Sequence, residues 1–330
     1  MMKCFRLFLG ILFVTIGCST SSQNKNILTE IRTIELPAVE GRIDHLSIDL
    51  KSNRLFVAAL GNGTVEVIDL KNGKVIKILK DLEEPQGVEF ISQSNLLFVT
   101  SAGDGTCKIF DASNYKLKKI IQLNDDADNI RYNKKRKIIF VGYGSGGIAA
   151  IDPLKMELLY KIDLPGHPES FQIDEKNNLI FVNVPGAKQI EVININKKRV
   201  ANKIKLKVRG NFPMALDTIH QVIFIGSRYP SRLVLFDAKT LGKLSENNIS
   251  GDADDIFYDS KDSLIFVSEG SGYIDVFKQV NSKNIMLKEK IETSPGARTS
   301  LYVSELNKIF VTARRYDGNN AKVFEFSIRR

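Results

Sequence analysis

Seven short polar segments, at nearly regular intervals along the chain, contain most of the residues that could bind a ligand or perform catalysis. They read GRIDH (41–45), EPQG (84–87), DDADN (125–129), GHPES (166–170), RGNFP (209–213), GDADD (251–255) and PGART (295–299). Arginine guanidinium groups can fork onto a carboxylate or phosphate, and clustered carboxylates suit hard divalent cations. If the fold gathers these segments, the candidate ligand-binding residues are Arg42, Asp44, His45, Asp126, Asp128, His167, Glu169, Arg209, Asp252, Asp254, Asp255 and Arg298.

Three interpretations of these side chains are open at this point. They could form a polar pocket for a small anion or a divalent cation, they could cap turns and pair with one another, or they could catalyse hydrolysis. His45 beside Asp44, or His167 near Glu169, has the residue types of a general acid–base pair, although neighbours in sequence need not meet in space. Two of the three histidines lie in these segments, and turn chemistry does not explain them. We therefore favour a binding pocket and assign no catalytic residue.

The elements that would position these segments are seven copies of one strand–turn–strand pattern. One copy, at 55–69, reads LFVAALGNGTVEVID and joins two apolar runs by a glycine-rich turn. A period of about 40 to 45 residues with several strands per repeat is typical of a β-propeller. The phenylalanine near the start of each copy recurs every 41 to 44 residues, at Phe56, Phe98, Phe140, Phe181, Phe224, Phe266 and Phe310.

Each repeat is predicted to contain four strands. In the first repeat the second strand (55–59) is continuously apolar, as expected between two neighbouring blades, and the fourth (74–79) is lysine-rich, as expected at an outer edge. The seventh repeat lacks a fourth strand, and an unassigned strand-like segment at 27–37 precedes the first repeat. We therefore predict an all-β fold, a seven-bladed propeller of four-stranded antiparallel blades over 28–330, whose last blade is completed by the N-terminal segment as its outer strand.

The repeats resemble the YVTN-type propeller repeat, and 28–328 as a whole resembles a YncE-like seven-bladed protein. The matching motifs are FVTS at 98–101, FVN at 181–183 and FVT at 310–312, with the turn and the apolar-apolar-Asp ending that follow. The resemblance implies the fold, but such propellers include binding proteins, lactonases and redox-cofactor domains, so it leaves the function open. The chain has no tryptophan, which argues against the quinoprotein members.

The first 17 residues have the features of a signal peptide. Lys3 and Arg6 provide a basic start, and an apolar run follows at 7–16. This run is too short to span a bilayer. We therefore expect 1–17 to direct export.

The sequence TIGC that ends at Cys18 resembles the lipobox of bacterial lipoproteins, in which the cysteine becomes the acylated N-terminus. Thr15 departs from the aliphatic residue usual there, and an ordinary secretory signal with a chance cysteine is the alternative. The polar stretch that follows suits a tether, predicted at 18–27. Ser19, rather than aspartate, favours the outer membrane by resemblance to enterobacterial sorting.

Composition and charge exclude several other classes. Of the three cysteines only Cys107 lies in the body of the chain, so no disulfide framework or zinc site is predicted. Phosphate-loop, GxSxG and HExxH patterns are absent. The net charge is +9, and basic residues are concentrated in turns such as 134–137. No aromatic residues are interleaved with them, so we expect no nucleic-acid partner.

These features predict an exported, lipid-anchored, periplasmic or cell-surface protein that we expect to be monomeric. Its function would be to bind a small anionic ligand or a protein partner through a polar funnel at one end of the central channel. The alternative is a lactonase-like or metal-assisted hydrolase that uses the same funnel. No cofactor is identified, although a divalent cation would suit the carboxylates.

Overall fold

The computed structural model describes Met1 and residues 26–329. The predicted signal peptide beyond Met1, the lipidation site Cys18 and most of the predicted tether (18–27) lie outside the described residues. Within 26–329, no helix is long and apolar enough to cross a membrane.

In the described part of the chain, 28 strands form seven four-stranded antiparallel sheets, the blades of a β-propeller. Two short 3-10 helices follow the second strands of blades 1 and 4, at Leu60–Asn62 and Pro185–Ala187. The strands are, for blade 1, β2 (Leu46–Asp49), β3 (Arg54–Ala59), β4 (Thr64–Asp69) and β5 (Lys74–Leu79); for blade 2, β6 (Pro85–Ile91), β7 (Leu96–Ser101), β8 (Thr106–Asp111) and β9 (Leu117–Gln122); for blade 3, β10 (Ala127–Asn133), β11 (Ile138–Tyr143), β12 (Gly147–Asp152) and β13 (Glu157–Asp163); for blade 4, β14 (Phe171–Asp174), β15 (Leu179–Val184), β16 (Gln189–Asn194) and β17 (Arg199–Lys205); for blade 5, β18 (Arg209–Asp217), β19 (Val222–Tyr229), β20 (Ser231–Asp237) and β21 (Lys243–Asn248); for blade 6, β22 (Ala253–Asp259), β23 (Leu264–Glu269), β24 (Tyr273–Gln279) and β25 (Ile285–Glu292); and for blade 7, β1 (Leu28–Leu36), β26 (Thr299–Val303), β27 (Lys308–Ala313) and β28 (Ala321–Ile328).

The first strands of the seven blades surround the central channel. Each first strand contacts the first strand of the next blade, and β26 contacts β2, which closes the ring. The sequence-based prediction of a seven-bladed propeller is confirmed.

The core lies between the blades rather than at the centre of the molecule. Among the described residues, buried apolar side chains form seven clusters, one between each pair of neighbouring blades. The second strand of each blade is covered on both faces, which explains its continuous apolar character. The seven repeat phenylalanines are fully buried there, and truncating one buried phenylalanine typically costs about 3–5 kcal/mol.

The N-terminal strand completes the last blade, as predicted. β1 pairs antiparallel with β28 from Leu28 opposite Ile328 to Leu36 opposite Ala321. Arg32 reinforces this seam because its Nε donates to buried Glu325 at 2.7 Å and its Nη2 donates to the carbonyl of Leu70, in blade 1, at 2.7 Å. β1 therefore completes blade 7 and, through Arg32, is also hydrogen-bonded to blade 1.

The candidate loops meet at one end of the channel, which we call the top. The loop that leads into a blade lies beside the loop that joins the second and third strands of the same blade. Gly144 N donates to Asp126 O at 3.0 Å, and Gly270 N donates to Asp252 O at 2.8 Å. Backbone pairing of this kind fixes the positions from which the candidate side chains project.

Candidate functional site

Four carboxylates from four different blades surround a small cavity at the top of the channel. The cavity has a volume of about 20 Å³. We call this site the acidic mouth and define it by Asp44, Asp128, Glu169 and Asp254. The propeller topology alone brings these residues together, since they are spread over more than 200 residues of sequence.

His167 is held between two carboxylates at the edge of the acidic mouth. Its Nδ1 lies 3.5 Å from Asp126 Oδ2 and 2.7 Å from Gly144 O, and its Nε2 lies 3.7 Å from Asp128 Oδ2. Burial alone would lower the pKa of His167, but Asp128, the Gly144 carbonyl and Asp126 outweigh it and raise the pKa to about 9. His167 is therefore an imidazolium at neutral pH.

Asp44 and His45 occupy the blade 1 side of the mouth. Asp44 accepts a hydrogen bond of 2.7 Å from Arg42 Nη2. Burial raises the pKa of Asp44 well above its usual range, and the Arg42 guanidinium offsets this only in part. His45 Nε2 lies 3.7 Å from Asp44 Oδ1 and 3.9 Å from Asp128 Oδ1, at ion-pair rather than hydrogen-bond distance.

Two arginines and two aspartates form a closed ion-pair network on the blade 6 side. Arg228 lies 2.9 Å from Asp252 and 2.6 Å from Asp254, and Arg298 lies 3.1 Å and 3.0 Å from the same two carboxylates. Arg228 also stacks on the Phe212 ring, with 4.0 Å between the guanidinium carbon and the ring centroid. These arginines are therefore already occupied on the side that faces the mouth.

Acceptor atoms at the mouth remain without hydrogen-bond partners. Asp128 is 5% exposed and Asn129 is 3% exposed, yet Asp128 Oδ1 and Asn129 Oδ1 have no hydrogen-bond partner among the described residues. Burial, followed by repulsion from Asp128, raises the pKa of Glu169 to about 8, and His167 only partly counteracts this. The site thus has more acceptors and buried acids than its own donors satisfy.

The two remaining candidates lie differently. Asp255 lies between the mouth and the channel, where its Oδ2 accepts from Ser300 N at 2.7 Å and burial raises its pKa to about 7. Arg209 is exposed at the start of β18, opposite Tyr229, and its guanidinium group has no hydrogen bond or ion pair with any residue of 26–329. The structure therefore groups eleven of the twelve candidates and leaves Arg209 apart.

Below the mouth the channel widens into a cavity of about 770 Å³ that contains a charged pair which the sequence analysis did not select. Burial raises the pKa of Glu89 to about 7, while Arg131 and Lys134 act in the opposite direction. Glu89 and Arg131 stand opposite Phe98 and Phe140 in the sheet register. Reading the position opposite each repeat phenylalanine would have found them.

Arg228 is a second residue of the site that the sequence analysis did not select. It lies near the end of the second strand of blade 5, β19, in the sequence SRYPS (227–231), where most other repeats have glycine-rich turns. Such turns also lie at the top, so the signal was a charged residue at a position that is alanine in blade 2 (Ala102) and glycine in blades 3 and 6 (Gly144 and Gly270). No group of three or more His, Cys, Asp or Glu side chains within the described part is placed to hold a metal ion, and a divalent cation stays a prediction from the sequence.

No protein family model matches the chain, and no curated protein sequence matches it. Solved structures do share its architecture. A chain of the mitotic checkpoint complex superposes with a TM-score of 0.78 at 12% identity, over 98% of this chain and 99% of that one. A chain of hydrazine synthase from Kuenenia stuttgartiensis superposes with a TM-score of 0.74 at 14% identity, over 88% and 98%. Likenesses at this identity establish the class, a seven-bladed β-propeller, and the fold alone.

Proposed function

We propose that the protein is a binding module that captures its ligand by a cationic group, a primary ammonium, at the acidic mouth. The observation that carries this proposal is the buried, unpartnered Oδ1 of Asp128 among three further carboxyl groups. A buried carboxylate oxygen without a donor is costly. A ligand that donates N–H groups to this oxygen removes that cost.

The size of the mouth selects the kind of cation. A cavity of about 20 Å³ accommodates one group of about the size of a water molecule. A primary ammonium has that size and carries three donors, whereas a guanidinium is a larger planar fork. The ammonium could belong to a small amine or to a lysine side chain of a protein partner.

Two other assignments have less support. A small anion at the mouth would need free arginines, but Arg42, Arg228 and Arg298 already pair with aspartates there. A hydrolase that uses this site would need a general base, and His167, which is protonated at neutral pH, cannot accept a proton. That role would fall to His45 or to a carboxylate of the mouth. The hydrolytic alternative would be revived by turnover of lactone substrates.

We further propose that the protein belongs among the YncE-like propellers and works outside the cytoplasm, anchored by lipid at Cys18. The support is the repeat pattern and the lipobox-like TIGC sequence. Propellers commonly serve as protein-binding scaffolds, and one structural neighbour is a chain of a multiprotein complex. Labelling with radioactive palmitate, in the full chain and in Cys18→Ala, tests the anchor, and equal labelling of the two would refute it.

Isothermal titration calorimetry with n-butylamine at pH 7.5, in a buffer without amines, tests the ammonium site. We expect measurable binding that weakens about tenfold or more in Asp128→Asn, since a charge-assisted hydrogen bond is lost. Asp163→Asn, which alters an exposed carboxylate at the end of β13, serves as the matched control and should bind like the natural sequence. Failure of n-butylamine to bind the natural sequence, or equal binding by the two variants, would contradict the proposal.

A further inference from the structure

Beside the acidic mouth, the loops of blades 1, 6 and 7 enclose a second cavity of about 150 Å³. Its polar lining includes Arg42, Arg298 and Arg314, and we call it the arginine pocket. The one carboxylate among its described lining residues, Asp252, already pairs with Arg228 and Arg298. Arg42 and Arg298 are paired with aspartates, so Arg314 gives the pocket a surplus of positive charge.

A count of donors leads to the same conclusion. Each guanidinium has five N–H donors and no acceptor. Arg42 uses Nη2 toward Asp44, and Arg298 uses Nε and Nη1 toward Asp254 and Asp252, which leaves Arg298 Nη2 without a described acceptor. Arg314 makes no hydrogen bond or ion pair with any residue of the described chain and is exposed. Donors without a protein acceptor in the described chain thus line this pocket, while buried acceptors without a donor line the neighbouring mouth.

Two glycines make room for the charged side chains of the pocket. A Cβ on Gly296, whose φ is +82°, would lie 2.8 Å from Arg314 Nε. A Cβ on Gly270 would overlap Asp252 Oδ2. The backbone at both positions therefore lies directly against the charged groups, so a side chain at either position would displace them.

From this arrangement we infer that the arginine pocket is an anion subsite for a carboxylate or phosphate group and that the natural ligand is zwitterionic. Its ammonium group would occupy the acidic mouth and its anionic group the arginine pocket, with Arg42 forming a wall of both. A planar guanidinium matches a carboxylate or a phosphate with two parallel hydrogen bonds. This inference rests on the proposed function for the ammonium half of the ligand.

Calorimetry with a set of small probes tests the anion subsite. We compare n-butylamine with 4-aminobutyrate, which adds a carboxylate, and ethylamine with O-phosphoethanolamine, which adds a phosphate. Each zwitterion should bind about tenfold more tightly than its parent amine, as expected for charge-assisted hydrogen bonds to one or more guanidinium groups. The probe with the larger gain in affinity shows whether the anionic group of the natural ligand is a carboxylate or a phosphate.

Arg314→Gln should abolish the gain while leaving n-butylamine binding unchanged, because Arg314 lines the arginine pocket and not the mouth. Arg209→Gln, an exposed arginine with no polar partner in the described chain, is the matched control and should retain the gain. Both variants should keep the melting temperature of the natural sequence, since both side chains are exposed.

The possible failures are distinguishable. If n-butylamine binds but neither zwitterion binds more tightly, or if Arg209→Gln removes the gain as fully as Arg314→Gln, the anion subsite is refuted and the ammonium site stands. If n-butylamine does not bind and inorganic phosphate binds in a manner that depends on Arg314, the ammonium site is refuted and the anion subsite stands.

Discussion

Replacement of Asp128 by asparagine should lower the pKa of His167 by about one to three units. His167 Nε2 lies 3.7 Å from Asp128 Oδ2. Two unit charges at that distance interact by roughly 1 to 4 kcal/mol for effective dielectric constants of about 80 to 20, and each 1.4 kcal/mol corresponds to about one pKa unit. Asparagine keeps the shape of the side chain and removes only its charge, so the change reports the ion pair directly.

The matched variant is Asp126→Asn. Asp126 Oδ2 is slightly nearer to the imidazole, at 3.5 Å, but its side chain is 42% exposed, whereas that of Asp128 is 7% exposed. Water screens an exposed charge more effectively. We therefore expect Asp126→Asn to lower the pKa of His167 by less than Asp128→Asn does, although Asp126 is the closer residue.

Proton NMR titration can measure both changes, because the chain contains only three histidines. Single replacements of His45 and His220 by glutamine assign the three resonances. His220, which bonds Asp217 at 2.7 Å within its own turn, lies away from the mouth, and its resonance serves as an internal reference. A decrease smaller than about 0.3 unit in Asp128→Asn, well below the smallest Coulomb value, would show that Asp128 does not hold the imidazolium and would refute the electrostatic account of the mouth.

Three further predictions concern stability. Burial raises the pKa of Glu169 to about 8 and of Asp255 to about 7, so between pH 5 and 7 the folded state holds protons that the unfolded state has lost. The free energy of unfolding should therefore fall over this window by about 1 kcal/mol or more per pH unit, and a rise measured by urea unfolding would contradict this. Arg228→Gln removes one of the two arginine partners of half-buried Asp254 and should cost about 1–3 kcal/mol, measured in the same way; an unchanged midpoint would show that the network is not needed for stability. A chain that begins at Gly41 lacks the outer strand of blade 7 and should aggregate or melt far below the longer chain in calorimetry, and equal melting temperatures would disprove the role of that strand.

The fold could be predicted in detail because its determinants repeat. The spacing of residues such as Phe56 and Phe98 counts the blades, and each fully buried ring confirms that the apolar second strand is covered on both faces. The missing fourth strand of the last repeat identified 27–37 as its replacement, and the observed strand is Leu28–Leu36. Period and alternation are properties of neighbours in sequence, so the sequence displays them.

The candidate site was predictable in location but not in chemistry. Topology gathers loops of equivalent position, which is why Asp44 and Asp128 meet. Pairing is different, because it depends on which side chain of one blade reaches which side chain of another. Arg209 faces solvent, while Arg228, from the neighbouring strand β19, pairs with Asp254. The sequence therefore left a small anion and a divalent cation open as ligands, and the paired arginines and the free acceptors support our proposal of an ammonium group at the mouth.

The seam between β1 and β28 also has a consequence for how the protein folds. Its two strands lie at opposite ends of the described chain, with Leu28 opposite Ile328, so a ribosome completes one partner long before the other. At about 5–20 residues per second, synthesis of the intervening blades takes roughly a quarter of a minute to a minute. During that time β1 has no strand to pair with, and the apolar face that it later covers is exposed. The ring thus stays open until β28 is synthesised. We expect chaperones or a delay in folding to protect the unpaired strand and the exposed apolar face until then.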